Sequence, residues 1–183
     1  VVVSDGSADN TVGVAEQFDT VRVIELPQNM GKGAAMAAGV KETKADIILF
    51  LDADLHGLTS AHVDALVLPV LGGSDMSIGI FKNGKFWTDT AQKIAPFISG
   101  QRAVKRELLE RVPWLNECRM GAEVTINQIA KKYKMKIRRV TLNGVSHTPK
   151  ERKLGLVKGT AARAKMYAEI GKAYVKNRKR LSR

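Results

Sequence analysis

The sequence predicts an α/β fold, a sandwich with a mostly parallel central sheet followed by a basic C-terminal helix. Short apolar runs of strand length alternate along the chain with segments of helical spacing, the pattern of a parallel sheet covered by helices. The run Ile47–Leu51 is apolar at every position, as expected for a strand buried on both faces. Basic residues are concentrated after residue 130, where the last apolar stripe has helical spacing.

The predicted elements follow one another at short intervals. Strands are predicted at Val1–Val3, Val21–Leu26, Ile47–Leu51, Met76–Ile80 and Ile137–Leu142. Helices are predicted at Thr11–Phe18, Ala34–Thr43, Ser60–Leu71, Thr88–Ile98, Gln101–Val112, Glu123–Lys132 and Ala161–Lys179. Loops are predicted at Asn29–Gly33 and Arg152–Gly159. We expect residues 1–155 to form the globular domain and residues 156–183 the basic amphipathic helix.

The composition limits the class of protein. The chain of 183 residues is 44% hydrophobic, which is enough for a packed core. A single cysteine excludes an internal disulfide framework and favours a reducing, cytoplasmic location. No apolar stretch has the length of a membrane span, and no signal peptide is visible. The sequence begins without Met on a strand that is already under way, so we expect a preceding segment.

The net charge of +12 is unevenly distributed along the chain. Residues 131–183 carry 18 Lys and Arg against 2 Glu, whereas residues 1–130 carry 12 against 16 Asp and Glu. The protein therefore has a mildly acidic body and a strongly basic tail. An amphipathic basic helix can lie on an anionic membrane surface, and the alternative is a helix that packs on the body with a solvated basic face.

The motif Asp52-Ala53-Asp54 directly follows the buried strand at residues 47–51. Two carboxylates so close raise each other's pKa unless positive charge neutralises them. A hard divalent cation such as Mg²⁺ or Mn²⁺ would do so and could bridge to a diphosphate. The alternative is a solvated acidic turn.

Two further motifs follow the first two predicted strands. The Asp5 carboxylate of Asp5-Gly6-Ser7 could accept a hydrogen bond from a nucleobase, or could cap the next helix. Gly31-Lys32-Gly33 fits neither a P-loop nor a dinucleotide fingerprint and indicates a flexible basic loop that contacts phosphate or a base. The alternative is a simple turn. Ligands bind at the carboxyl ends of strands in such sheets, where these motifs meet.

Three later features could also take part in a site. Ser99-Gly100-Gln101-Arg102 predicts an anion site at a helix start, or an ordinary Ser-capped helix. Glu123 opens a predicted helix, where a carboxylate is favourable for the helix dipole. His147 follows the last predicted strand, and no HExxH spacing is present to indicate a zinc hydrolase.

Together these segments resemble the family 2 glycosyltransferases of the GT-A fold. The similarity rests on residues 2–11, on Asn29–Ala35 and on the strand with its DXD motif, Ile47–Leu55, which occur in the family's order and approximate spacing. It extends more loosely to about residue 155. The sequence is similar to polyprenyl- and dolichyl-phosphate sugar synthases and to glucosyl-3-phosphoglycerate synthases.

The resemblance implies a role for each of these residues. Asp5, Gly6, Ser7, Lys32, Asp52, Ala53 and Asp54 would bind the nucleotide sugar. Asp52, Asp54 and His147 would hold Mg²⁺ or Mn²⁺, with Asp54 the more direct ligand. Gly100, Gln101 and Arg102 would belong to the acceptor loop. Glu123 would be the catalytic or acceptor-orienting carboxylate, together with Asp54. The family's opening strand would lie before Val1.

The expected reaction is transfer of a hexose, glucose first, from UDP-glucose to a phosphorylated small molecule or a polyprenyl-phosphate acceptor. The enzyme would be cytoplasmic, with peripheral contact to the inner membrane face through its tail; a homodimer is left open. A nucleotidyltransferase is one alternative, although Asp5-Gly6-Ser7 stands where its phosphate loop would lie. A nucleic-acid-binding module is another, but basic residues confined to one tail, with few aromatic residues among them, argue against nucleic acid.

Overall fold

The computed structural model describes residues 1–81, 99–147 and 156–182, with side chains left out at residue 147 and at most positions before residue 166 in the last helix. Its strands are β1 Val2–Ser4, β2 Val23–Glu25, β3 Ile47–Phe50, β4 Leu55–His56, β5 Met76–Phe81, β6 Arg102–Lys105, β7 Ile137–Leu142 and β8 Ser146–His147. Its α-helices are α1 Thr11–Ala15, α2 Lys32–Lys41, α3 Ser60–Leu71, α4 Arg106–Glu110, α5 Ala122–Lys132 and α6 Leu156–Leu181. Two 3₁₀ turns, Leu115–Glu117 and Arg119–Gly121, lie between α4 and α5.

The strands form mixed sheets, so the prediction of a mostly parallel sheet is wrong. The four-stranded sheet has the order β3-β6-β5-β7, in which β6 runs antiparallel to both of its neighbours and only β5 and β7 are parallel. β1 and β2 form a separate parallel pair, and β4 pairs antiparallel with β8.

The antiparallel strand β6 also corrects the helix predicted over Gln101–Val112. Residues 102–105 of that segment form a strand, and the helix begins only at Arg106. The polar ends of the strand, Arg102 and Lys105, have the spacing of a helical surface, which is why the sequence favoured a helix. Instead, Arg102 and Ala103 are fully buried between the neighbouring strands.

The core lies on both faces of the four-stranded sheet, as expected for an α/β fold. On one face, α2, α4, α5 and the 3₁₀ turns pack on β3, β5 and β6 through a cluster that includes Met36, Met76, Val104, Leu108 and Ile126. On the other face, α3 packs on β6 and β7 through Leu66, Val70, Ala103 and Leu142. This α/β sandwich with helices on both faces confirms the predicted fold class.

The C-terminal helix α6 extends over Leu156–Leu181, longer than the helix predicted at Ala161–Lys179. The loop predicted at Arg152–Gly159 is therefore wrong from residue 156 onward, and the helix predicted at Thr88–Ile98 lies outside the described residues. In α6 the buried Asn177 accepts a hydrogen bond from Trp114 Nε1 at 3.1 Å. Its Nδ2 donates to Thr125 Oγ1 on α5 at 2.6 Å.

Within residues 1–81, 99–147 and 156–182, no helix combines the length and the apolar character needed to cross a bilayer.

Candidate active site

Asp5 lies in the turn after β1 and organises the loop that precedes α2. Its Oδ1 accepts a hydrogen bond from the backbone N–H of Met30 at 2.6 Å, and its Oδ2 accepts one from Gly31 N–H at 2.8 Å. Gly6 has a φ of +67°, and a Cβ there would come within 2.8 Å of the backbone N of Asn29. Ser7 N–H donates to Ser4 Oγ at 3.3 Å. The turn and the loop therefore form one unit, and the base contact of Asp5-Gly6-Ser7 stays a prediction.

Lys32 is the first residue of α2, so the prediction of a flexible loop at this position is wrong. The helix begins here because Gly31, with a φ of +94°, can take the conformation that precedes it. Gly33 lets the first turn of α2 lie against the 3₁₀ segment, since a Cβ at that position would be 3.2 Å from Cys118 Cβ.

The Lys32 ammonium group joins two carboxylates. Its Nζ donates to Asp52 Oδ1 at 2.5 Å and forms an ion pair with Glu123 Oε1 at 2.6 Å. Burial alone would lower the pKa of Lys32, but the charges of Glu123 and Asp52 outweigh it and raise that pKa above its ordinary value. Lys32 is therefore a fixed cation between Asp52, the first residue of the predicted DXD motif, and the first turn of α5.

Asp52 is fixed from a second side by the segment before β6. Gln101 Nε2 donates to Asp52 Oδ2 at 2.8 Å. Gly100 allows this approach, because a Cβ at position 100 would overlap the Asp52 carboxylate and lie 2.6 Å from Lys32 Nζ. The predicted acceptor residues Gly100 and Gln101 thus lie directly beside the predicted donor motif.

Arg102 is fully buried, and the helix start predicted at Ser99–Arg102 is wrong because Arg102 opens a strand. Its Nη2 donates to Ser99 O at 2.5 Å, and its Nη1 donates to Glu123 O at 3.2 Å and to Asn127 Oδ1 at 3.1 Å. Burial lowers the pKa of Arg102 to about 10, although nearby carboxylates oppose this shift. The guanidinium holds the start of α5 against the Ser99 turn, and its role toward an acceptor stays a prediction.

Glu123 lies in the first turn of α5, as predicted, and its side chain is only 7% exposed. Its carboxylate pairs with Lys32 while its backbone carbonyl accepts from Arg102. Lys32 and Arg102 together therefore offset the cost of burying this charge.

The β4–β8 pair places the backbone of His147 opposite the residue that follows Asp54. Leu55, which follows Asp54, pairs in register with His147. The side chain of His147 lies outside the described part of the chain. Among the side chains that are described, no group of three or more His, Cys, Asp or Glu residues forms a cluster suited to a metal ion. His62 is engaged elsewhere, since its Nδ1 accepts from the backbone N–H of Thr59 at the start of α3.

A cavity of about 1060 Å³ lies between β1 and β3 and opens beside these residues. Its apolar walls include Val1–Val3 and Ile47–Leu51. Asp5, Lys32, Asp52 and Ala53, four of the predicted nucleotide-sugar residues, are also part of its lining.

Comparison with known families and structures addresses the resemblance of these motifs. Residues 1–82, which contain Asp5, Lys32, Asp52 and Asp54, match the family model described as glycosyl transferase family 2.

Curated relatives match a short part of the chain. Dolichyl-phosphate beta-glucosyltransferase ALG5C of Trichomonas vaginalis is 41% identical over 58 residues, and the dolichyl-phosphate beta-glucosyltransferase of Drosophila melanogaster is 45% identical over 60 residues. Each alignment covers 30% of this chain, and the chain covers only 17% and 18% of the two relatives, respectively.

A solved structure supports the fold over nearly the whole chain. The glucosyl-3-phosphoglycerate synthase of Mycobacterium tuberculosis, in complex with Mn²⁺, UDP and glucosyl-3-phosphoglycerate, superposes with a TM-score of 0.74 at 21% identity. The match covers 96% of this chain and 67% of that one. The GT-A fold predicted from the family 2 motifs is confirmed.

The sequence analysis assigned no role in the site to two residues that also line the cavity, Arg119 and Asn29. Arg119 is one of two non-glycine residues with a positive φ in the described segments, at +42°. Arg119 Nη2 donates weakly to Asn29 Oδ1 at 3.5 Å. The spacing of Arg119 four residues before Glu123 was the available signal, but only the 3₁₀ turn brings it to the loop before α2.

Proposed function

We propose that this chain contains the donor-binding core of a hexosyltransferase that moves glucose from UDP-glucose to a phosphate-bearing acceptor. One observation carries the proposal: Lys32 joins Asp52 of the DXD motif to Glu123 beside a cavity lined by the family 2 motifs. The names of the relatives, which specify glucose and a lipid phosphate or phosphoglycerate, support the substrate class.

The residues of the motif fit a hard divalent cation by their donor chemistry. Two carboxylates and an imidazole, from Asp52, Asp54 and His147, are ligands that Mg²⁺ or Mn²⁺ accepts. Because both Asp52 oxygens receive hydrogen bonds from Lys32 and Gln101, Asp54 is the more direct ligand in this proposal. When bound, the ion supplies positive charge to the leaving diphosphate.

In the proposed transfer, an acceptor oxygen forms a bond to the anomeric carbon of glucose. The bond from that carbon to the diphosphate breaks, and its electron pair leaves with UDP. If the reaction inverts and the acceptor is a hydroxyl, Glu123 accepts the proton. If the configuration is retained, Glu123 orients the acceptor beside Gly100 and Gln101. The stereochemistry of the product separates these two roles.

The decisive test measures UDP release from UDP-glucose with Mn²⁺ and a panel of phosphorylated acceptors, together with thermal shifts produced by nucleotide sugars. Asp54→Asn should lower turnover at least about a hundredfold and remove the Mn²⁺-dependent part of the thermal shift. Asp64→Asn, an exposed carboxylate on α3, is the matched control and should behave as the unmodified chain. Formation of pyrophosphate from UTP and glucose 1-phosphate, with no UDP release, would show a nucleotidyltransferase instead.

The outer face of α6 supports a second part of the proposal, contact with an anionic membrane surface. Tyr167, Tyr174 and Val175 are about half exposed on this face, and Lys172 and Lys179 are exposed beside them. Aromatic residues flanked by lysines are suited to the interface of an anionic bilayer. Such contact would bring the site close to a polyprenyl-phosphate acceptor.

Liposome co-sedimentation tests the membrane part separately. Each basic residue near an anionic surface contributes about 1 kcal/mol, so Lys172→Glu with Lys179→Glu should weaken binding to phosphatidylglycerol vesicles at least about tenfold. Lys41→Glu with Lys44→Glu makes the same charge change at exposed positions outside α6, at and just after the end of α2. This control variant should bind as the unmodified chain does. Equal binding by both double variants, or equal binding to neutral vesicles, would remove the membrane role.

A further inference from the structure

The two cations of the cavity lining differ in what they already contact. Among the described lining residues, the positive side chains are Lys32 and Arg119. Lys32 lies within 2.6 Å of two carboxylates, Asp52 and Glu123, so its charge is offset within the protein. A substrate phosphate that approaches Lys32 would have to compete with both carboxylates.

Arg119 has weaker partners. Its side chain is 50% exposed, and its Nε lies 4.0 Å from Glu169 Oε1 on α6. Its Nη2 is 3.5 Å from Asn29 Oδ1. A guanidinium carries five N–H donors, and a long, exposed ion pair contributes little to stability. Arg119 therefore has donors to offer to an anion in the cavity.

The backbone holds Arg119 in this place at a conformational cost. Its φ of +42° is a left-handed conformation that a residue with a side chain rarely adopts. Gly31 leaves the space that Arg119 occupies, since a Cβ at position 31 would lie 2.9 Å from Arg119 Cα and 3.0 Å from its Cβ. Gly31 is itself held by the Asp5 carboxylate. Arg119 is thus part of the same unit as the predicted base-binding turn.

We propose that Arg119 binds a phosphoryl group of the bound substrate, with its guanidinium turning from Glu169 to the phosphate oxygens. This inference rests on the proposed function, because it requires a phosphorylated substrate in the cavity. The planar guanidinium matches phosphate oxygens in a bidentate manner, whereas the ammonium of Lys32 is a point charge already surrounded by carboxylates. The phosphoryl group can belong to the donor diphosphate or to the acceptor.

Isothermal titration with UDP and with uridine, both in Mn²⁺, separates phosphate recognition from base recognition. Arg119→Gln should raise the Kd for UDP about tenfold or more while the Kd for uridine stays unchanged, because only UDP carries phosphate. Arg119→Lys should restore part of the affinity. Arg111→Gln is the matched control. Arg111 follows the end of α4, pairs with Glu107 in the first turn of that helix, and is not part of the cavity lining. Circular dichroism of each variant checks the fold.

Two further measurements complete the test. Glu169→Gln removes the carboxylate that competes for Arg119 and should tighten UDP binding about twofold. If Arg119 serves the acceptor instead, Arg119→Gln leaves the Kd for UDP unchanged and raises the KM of the phosphorylated acceptor. Unchanged UDP affinity and unchanged acceptor KM in a folded Arg119→Gln variant would overturn this inference alone. Failure of the unmodified chain to bind UDP would overturn it together with the proposed function.

Discussion

Ion pairs between basic side chains and carboxylates occur in two regions, the site around Lys32 and the docking surface of α6. The docking surface is the part of α6, at Lys176, Asn177 and Arg180, that contacts Trp114, Glu117 and Thr125. At the site, one ammonium lies between Asp52 and Glu123, and all three side chains are less than one third exposed. On α6, Lys176 and Arg180 both pair with Glu117, at 3.0 and 2.7 Å, and these side chains are 32–57% exposed. The distances are similar, so burial decides what each pair contributes.

The two regions differ in how much the loss of one charged partner should cost. Pairs in water contribute little and can be replaced at small cost, while a buried carboxylate that loses its partner is costly. Glu123, which is buried beside the cavity, therefore depends on its pairing with Lys32 far more than an exposed carboxylate would. Four substitutions test this difference, and their expected effects decrease from Lys32 to Lys176.

The largest effect is expected from Lys32→Met. The change leaves the buried Glu123 and the half-buried Asp52 without their common cation, which should lower the free energy of unfolding by about 3 kcal/mol. Urea denaturation at neutral pH measures it. Lys32→Met combined with Glu123→Gln and Asp52→Asn should recover most of the loss, and no recovery would mean that the lysine acts through packing and not through charge.

Gly100→Ala should have the next largest effect. The added methyl group overlaps the Asp52 carboxylate, so Asp52 must shift. This shift should lower the free energy of unfolding by about 1–3 kcal/mol. Asp52 then loses its contacts with Lys32 and Gln101. The rate of the proposed glucosyl transfer should therefore fall even under conditions in which the variant is fully folded. Gly73→Ala alters a glycine with nothing within 4 Å of its Cβ position and controls for the substitution itself, apart from the strain of its positive φ. Full turnover by Gly100→Ala would show that the close approach is dispensable.

Asn177→Ala should affect stability without affecting the donor site. It removes the acceptor of Trp114 Nε1 and the donor to Thr125 Oγ1, with an expected loss of about 1–2 kcal/mol. The Kd for UDP, measured by titration, should stay within about twofold of the unmodified chain. A tenfold change in that Kd would show that the docking surface and the site are coupled more tightly than the contacts indicate.

Lys176→Met should have the smallest effect. Arg180 still pairs with Glu117, and an exposed pair contributes only about 0–1 kcal/mol. The thermal midpoint of unfolding should therefore hardly move. A loss as large as that of Lys32→Met would remove the distinction between the two regions.

The sequence predicted the secondary structure correctly where a local pattern of residues determines it. The apolar runs predicted β1, β2, β3 and β5, and the ends of β1 and β3 correctly brought Asp5 and Asp52 to one cavity. The expected capping residue Ser60 and the β-branched run at Ile137–Leu142 also predicted α3 and β7 with their observed bounds.

The sequence was misleading where distant partners determine the environment. Arg102 in β6 is buried because the Ser99 carbonyl, the Glu123 carbonyl and the Asn127 side chain accept its hydrogen bonds, and no local pattern contains that information. The same holds for Lys32, which the sequence presents as a surface loop residue. Its burial depends on α5, some ninety residues later in the chain. Charged residues with long-range partners are therefore the ones that sequence periodicity assigns wrongly.

The contact between Gly121 and Ala173 couples the C-terminal helix to the start of α5. A Cβ at position 121 would overlap Ala173 Cβ, so α6 lies directly on the turn that leads into Glu123. Thr125, which donates to the Gly121 carbonyl, also receives the hydrogen bond of Asn177. Truncation before α6 would uncover the start of α5, so a loss of activity in the truncated chain would not test membrane contact. A test of membrane contact therefore requires substitution of the exposed lysines on the outer face of α6 in the full chain.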